Sequence, residues 1–137
     1  MNVESLTAPS HKEKQEFIDR LNKITFGCIA YKLINPEEGD AWTLEQARQA
    51  IEKYRLFLIL NYLYPDRIIV PSREIDKVWH CHILDTRKYF SDCDTLFGEY
   101  MEHFPYYGIR DESDRQALED SFYETQELWE HHFETEM

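Results

Sequence analysis

Between Trp79 and Pro105 the chain gathers side chains able to hold a metal ion. Three of its six histidines, His80, His82 and His103, and two of its three cysteines, Cys81 and Cys93, fall within these twenty-seven residues, with Asp76 just ahead and Asp85, Tyr89 and Asp92 interspersed. Imidazole nitrogens and carboxylate oxygens suit Zn2+ or Fe2+. Three such ligands with an open position can activate water, and two histidines with one carboxylate on a common face can activate oxygen. The spacing matches no strong expression of the zincin type, so geometry has to decide which residues could meet.

The elements that must position them read as helices. Ser72 can cap a helix running to about Leu84, on which Ile75, Val78, Trp79, His82 and Ile83 share the apolar face. On that helix Asp76 and His80, four residues apart, lie together at the margin of the face. His80 and His82 are separated by about 200°, because each helical residue turns roughly 100°. A His-x-His pair shares a face on a strand, not on a helix. His82 is therefore expected in the core, bonded to Asp85, Tyr89 or a backbone carbonyl and acting behind the ligands or as an alternative one.

A further helix, capped by Asp85 or Thr86 and running to about Glu102, would present Tyr89, Cys93, Leu96, Phe97 and Tyr100 on one side. Pro105 would stop it. A tight antiparallel connection would carry His103 back towards Asp76, making Asp76, His80 and His103 the expected ligand set. Cys93 reads as a small core residue, with a thiolate ligand as the alternative. Asp92 and Asp94 read as solvated, Cys81 as near-surface and Cys28 as core. A Cys93–His82 nucleophilic pair has no accompanying third group or oxyanion-hole signal. A buried, hydrogen-bonded histidine is the commoner role for any one of these imidazoles taken alone.

The remaining elements form the scaffold. Ser10-His11-Lys12-Glu13 and Thr43-Leu44-Glu45-Gln46 are capping-box patterns. The first opens a helix with Phe17, Ile18, Leu21, Ile24 and Cys28 at helical spacing, which Gly27 could interrupt. The second opens a helix from Leu44 towards Tyr64, ended by Pro65. Residues 35–40 read as a loop and Arg67–Pro71 as an extended connector without a partner strand. Leu118, Phe122, Trp129 and Phe133 line one face of a C-terminal helix over residues 112–134, and His131 and His132 carry no expected role. These readings sum to an all-α fold, a compact single-domain bundle of about five helices over residues 11–137 after an N-terminal extension of residues 1–10.

A chain of 137 residues with 42% hydrophobic and 15% aromatic content can build such a core without disulfides. The charge of −12 is concentrated: residues 111–137 carry ten acids against one base, leaving only −3 elsewhere. That distribution argues against nucleic-acid or anionic-membrane binding, which need a basic footprint, and leaves the acidic helix as a solvated face or a docking surface for a basic protein partner. No secretory leader and no membrane-spanning run are read in the sequence, so a soluble, cytoplasmic protein with reduced thiols is expected.

Ala50-Ile51-Glu52-Lys53-Tyr54, Val70-Pro71-Ser72, Ile75–Thr86 with its Trp79-His80-Cys81-His82 centre, Tyr89, Asp92-Cys93, Phe97-Gly98 and His103–Gly108 together resemble the glycine-rich-domain-containing-protein-like family. The resemblance covers roughly residues 45–110. With four glycines and no glycine-rich tail, the chain looks like the short, stand-alone bacterial type. The His103 segment also resembles the bacterial version, plant versions generally lacking that histidine. The resemblance implies that Asp76, His80, His82, Tyr89, Cys93 and His103 matter, and it assigns no reaction to them. Two functions fit: a helical domain with an Asp/His metal site, extending to a small metalloenzyme, or a non-catalytic interaction module whose Trp-His-x-His segment is a structural core network.

Overall fold

A computed structural model of the chain describes residues 10–35, 37, 41–104 and 107–137. Among these the architecture is all-α, with six helices: α1 (His11–Leu21), α2 (Gly27–Ile34), α3 (Leu44–Leu63), α4 (Arg73–Leu84), α5 (Thr86–Phe97) and α6 (Glu112–Phe133). Residues 1–9 of the N-terminal extension, most of the 35–40 loop and Pro105 lie outside the described residues.

The count exceeds five because the first apolar-periodic stretch is two helices. Asn22 closes α1, its amide donating back to Ile18 and Arg20, and the chain restarts at Gly27. The restart resets the helical phase, so Ile29 and Leu33 are buried while Cys28, expected in the core, is exposed. Both expected N-terminal caps form. Ser10 Oγ accepts from the Glu13 amide, and Thr43 and Gln46 complete a reciprocal box.

Helix α3 is the hub. Ala47, Ala50, Tyr54, Phe57, Leu58 and Leu60 are almost wholly withdrawn from solvent, and α1, α2, α4 and α6 pack on it. Its stretch Leu56–Leu60 is apolar all round and requires that central place. On α4 the buried residues are Ile75, Val78, Trp79 and His82, the expected face. Asp85 alone joins α4 to α5; it stands at the N-cap position without a side-chain cap bond.

Helix α5 stops at Phe97, a turn and a half short of the expected end. Gly98 adopts φ +72°, a left-handed conformation that glycine enters at little cost, and its amide closes on Asp94. The early stop moves Tyr100 off the buried face, leaving it half exposed. It also releases residues 98–104 as an irregular segment crossing back towards α4.

Helix α6 buries Trp129 and Thr125. Thr125 Oγ1 accepts the Val70 amide at 3.0 Å, which ties the extended connector to α6. His132, expected to be idle, bonds the Tyr64 hydroxyl at 2.6 Å, and partial burial lowers its pKa. The turn entering α6 needs glycine at 108: φ is +91°, and a Cβ there would lie 2.3 Å from Leu118 Cδ2. Asp114 locks this turn, taking a forked pair of bonds from Arg110 and one from the Gly108 amide.

Chiefly through the Arg110 bonds, helped by the backbone amides, the Asp114 carboxyl is held at about 2. A depressed carboxyl stabilises the fold fully above its unfolded value of 3.8 and loses that contribution as pH falls towards about 2. The urea midpoints of wild type and Asp114→Asn are therefore expected to differ at neutral pH and converge as acid is added through that window. A gap of constant size down to the lower limit would contradict this.

Candidate metal centre

Asp76 and His80 project from consecutive turns of α4, and the irregular segment after Gly98 brings His103 to them. Asp76 Oδ1 lies 2.7 Å from His103 Nε2, Asp76 Oδ2 lies 3.5 Å from His80 Nε2, and the two Nε2 atoms are 3.2 Å apart. These are the separations expected between ligands that share one ion at about 2.0–2.2 Å, roughly 2.8–3.5 Å edge to edge. With N–H on each Nε2 the two Asp76 oxygens could accept from both rings, and a cation at the centre could take the place of those protons. The His80 side chain is 54% exposed, Asp76 33% and His103 17%, so the group is anchored on one side and open on the other.

His103 is held from beneath. Its ring packs on Trp79 with centroids 4.4 Å apart. The Trp79 indole N–H donates to the Tyr89 hydroxyl at 2.9 Å, and that hydroxyl donates to the Met101 carbonyl. Tyr89 thus fixes the chain two residues before His103. Its role is to position, and burial raises its pKa, keeping it a neutral donor.

His82 points the other way, as helix geometry requires. Its partners are not Asp85, Tyr89 or a carbonyl: Nδ1 meets the Tyr54 hydroxyl at 2.7 Å and Nε2 meets Asp92 Oδ2 at 2.8 Å. Tyr89 touches it only edge-on, with ring centroids 4.9 Å apart. Lys88 Nζ completes the set, 3.0 Å from the same Asp92 oxygen. An ionised carboxylate only accepts, so His82 carries its proton on Nε2 and receives Tyr54 O–H at Nδ1. Burial lowers the His82 pKa against the pull of Asp92, and burial raises that of Tyr54. The network runs from a partly exposed lysine through aspartate and neutral histidine to a buried tyrosine.

Asp92 corrects the expectation of a solvated residue. The signal was present: it lies three residues after Tyr89 and one before Cys93, within the i, i+3, i+4, i+7 pattern of the buried face. Tyr54 is the partner that the sequence does not announce, because nothing in α3 marks a contact with α4. Cys93 is buried beside Tyr89, and burial raises its thiol pKa, the opposite of an activated nucleophile. Asp85 sits at the α4–α5 joint. The donor group within 4.8 Å comprises Asp76, His80 and His103, without Asp85, Tyr89, Cys93 or His82.

A cleft of about 560 Å³ opens beside two of the three donors, lined by Asp76, Trp79 and His103 together with residues 67–73, Glu102, Tyr107 and Leu118 of α6. A family model described as UCP032817-like matches residues 14–127, from α1 into α6. The chain belongs to that family. The match extends well beyond the 45–110 stretch that carries the motifs, so the scaffold helices on both sides are part of the family unit. Two Arabidopsis thaliana relatives are similar: glycine-rich domain-containing protein 2, 31% identical over 90 residues, and glycine-rich domain-containing protein 1, 30% identical over 95. These alignments cover 63% and 64% of this chain and 11% of each relative, so the chain spans about a ninth of their length. No solved structure matches. Among the described residues no helix is long and apolar enough to cross a membrane.

Proposed function

We propose that this protein is a metal-binding helical domain in which Asp76, His80 and His103 hold Zn2+ or Fe2+, and that the open side of the ion activates a small ligand, as in a small metalloenzyme. The observation that carries the reading is the convergence of two Nε2 atoms and a carboxylate at ligand-to-ligand spacing on the rim of a cleft. Two histidines and one carboxylate on one face leave coordination positions free, which is what reaction at the ion needs. A cytoplasmic setting goes with this reading, since Cys28 and Cys93 are free thiols.

Metal analysis of untagged protein tests it, beside His80→Ala. Wild type should carry or take up close to one equivalent and the variant much less; below about a tenth of an equivalent in both would sink the proposal.

A second reading, a non-catalytic interaction module meeting a basic protein partner through acidic α6, draws on the Tyr54–His82–Asp92–Lys88 network, which gives the second histidine of the motif a structural job. That network leaves the convergence of Asp76, His80 and His103 without a purpose, which is why the metal reading ranks first.

A further inference from the structure

We infer that the cleft beside the metal centre receives a small oxyanion, a phosphate or carboxylate group, held between the ion and the guanidinium groups of Arg67 and Arg73. This rests on the metal reading above and names the class of ligand that the same site takes.

Both arginines line the cleft together with Asp76 and His103. The chain has 27 acids against 15 lysines and arginines, and of its eight arginines Arg48, Arg55, Arg110 and Arg115 lie beside a carboxylate. Among the described residues, no carboxylate lies within ion-pair distance of Arg67 or Arg73. Arg67 instead lies over the Tyr64 ring, 5.4 Å from its centroid, which orients the guanidinium without neutralising it.

The backbone adds to this. Ser72 caps α4 by accepting from the Ile75 amide. The first two amides of α4, at Arg73 and Glu74, face out of the helix start with no acceptor inside it, at the positive end of the helix dipole. Glu102 is the remaining carboxylate on the cleft wall. Without metal the two arginines and two carboxylates balance; a divalent ion on Asp76 leaves the cleft with formal charge +2. Metal binding therefore turns a neutral cleft into an anion-attracting one.

The ligand class follows from what both ends accept. A transition ion with open positions takes an oxygen donor, and a guanidinium fork matches a planar carboxylate or a phosphate face in pairs of N–H···O bonds. One oxyanion supplies both. A volume of about 560 Å³ also leaves room for the body of a small metabolite-sized molecule against the Trp79 ring.

Calorimetric titration with inorganic phosphate and, separately, with succinate tests this on three samples: zinc-loaded wild type, metal-free wild type, and zinc-loaded Arg67→Gln/Arg73→Gln. Zinc occupancy of each is fixed independently by competition with a chromophoric chelator. Expected is saturable binding of at least one anion to zinc-loaded wild type, weakened about tenfold or more by metal removal and by the double substitution, equivalent to roughly 1.4 kcal/mol. The double variant should keep its zinc affinity and thermal midpoint, because both arginines are exposed. The tighter anion identifies the class. Failure of both anions to bind protein that holds zinc, or equal binding by the double variant, overturns this inference and leaves the metal centre standing. Failure of wild type to hold zinc overturns the metal reading and this inference with it.

Discussion

His82→Ala is expected to cost about 3–5 kcal/mol of folding stability, a large fraction of what a domain of this size possesses. The ring is 1% exposed and bridges two helices, α3 through Tyr54 and α5 through Asp92. Truncation leaves a cavity the size of an imidazole, strands the Tyr54 hydroxyl in an apolar surround and removes one of the two partners of a largely buried carboxylate. Each loss adds to the others, because buried polar groups are costly when partly satisfied. Tyr54→Phe removes one neutral hydrogen bond and frees one lone pair, so about 1–2 kcal/mol is expected. His80→Ala, two residues away on the exposed side of α4, should fall within about 0.5 kcal/mol of wild type in metal-free protein. Urea unfolding of the three variants in the presence of a chelator measures this order. A His82→Ala protein as stable as His80→Ala would remove the core-network account.

The two histidines of one Trp-His-x-His motif thus have separate work, and the helical period alone made that legible. It placed His82 inward and Asp76 with His80 at the margin without any tertiary information, because on a helix the face of a residue is a local property. His82's partners were not legible. Tyr54 lies 28 residues away in an ordinary apolar stripe of α3, among Ala47, Ala50, Ile51 and Leu58, so nothing sets it apart. The path of His103 was half legible: Gly98 lies inside the stretch read as helix, yet a glycine at the end of an apolar pattern is itself a stop signal. That stop gives His103 its reach to Asp76, since Tyr89 can then clamp the irregular segment at Met101. Arg67 and Arg73 carried no signal at all, because a pair of exposed arginines becomes informative only when a cleft and an empty ion-pair shell are seen around it.

Zinc is expected to raise the thermal midpoint of wild type and to leave that of Asp76→Ala unmoved. An ion that binds only the folded chain stabilises it by RT ln(1 + [L]/Kd), about 2.7 kcal/mol at a hundredfold excess over Kd, enough to shift the midpoint of a domain this size by several degrees. Asp76 is the decisive ligand because it brings the only negative charge of the three and has one oxygen facing each imidazole. Removing it leaves two neutral donors, one of them mostly exposed, which cannot hold a hydrated divalent ion against water. In metal-free protein the same substitution should cost at most about 1 kcal/mol, the worth of an acid near the start of α4. The contrast between a small loss without metal and abolition of the zinc-induced shift separates ligation from scaffold. His103→Ala should likewise abolish the shift, though with some loss of stability of its own, since its ring packs on Trp79. His131→Ala, on the exposed side of α6, serves as the control for adventitious binding and should retain the full shift. Equal zinc responses in wild type and Asp76→Ala would show that any ion taken up binds elsewhere.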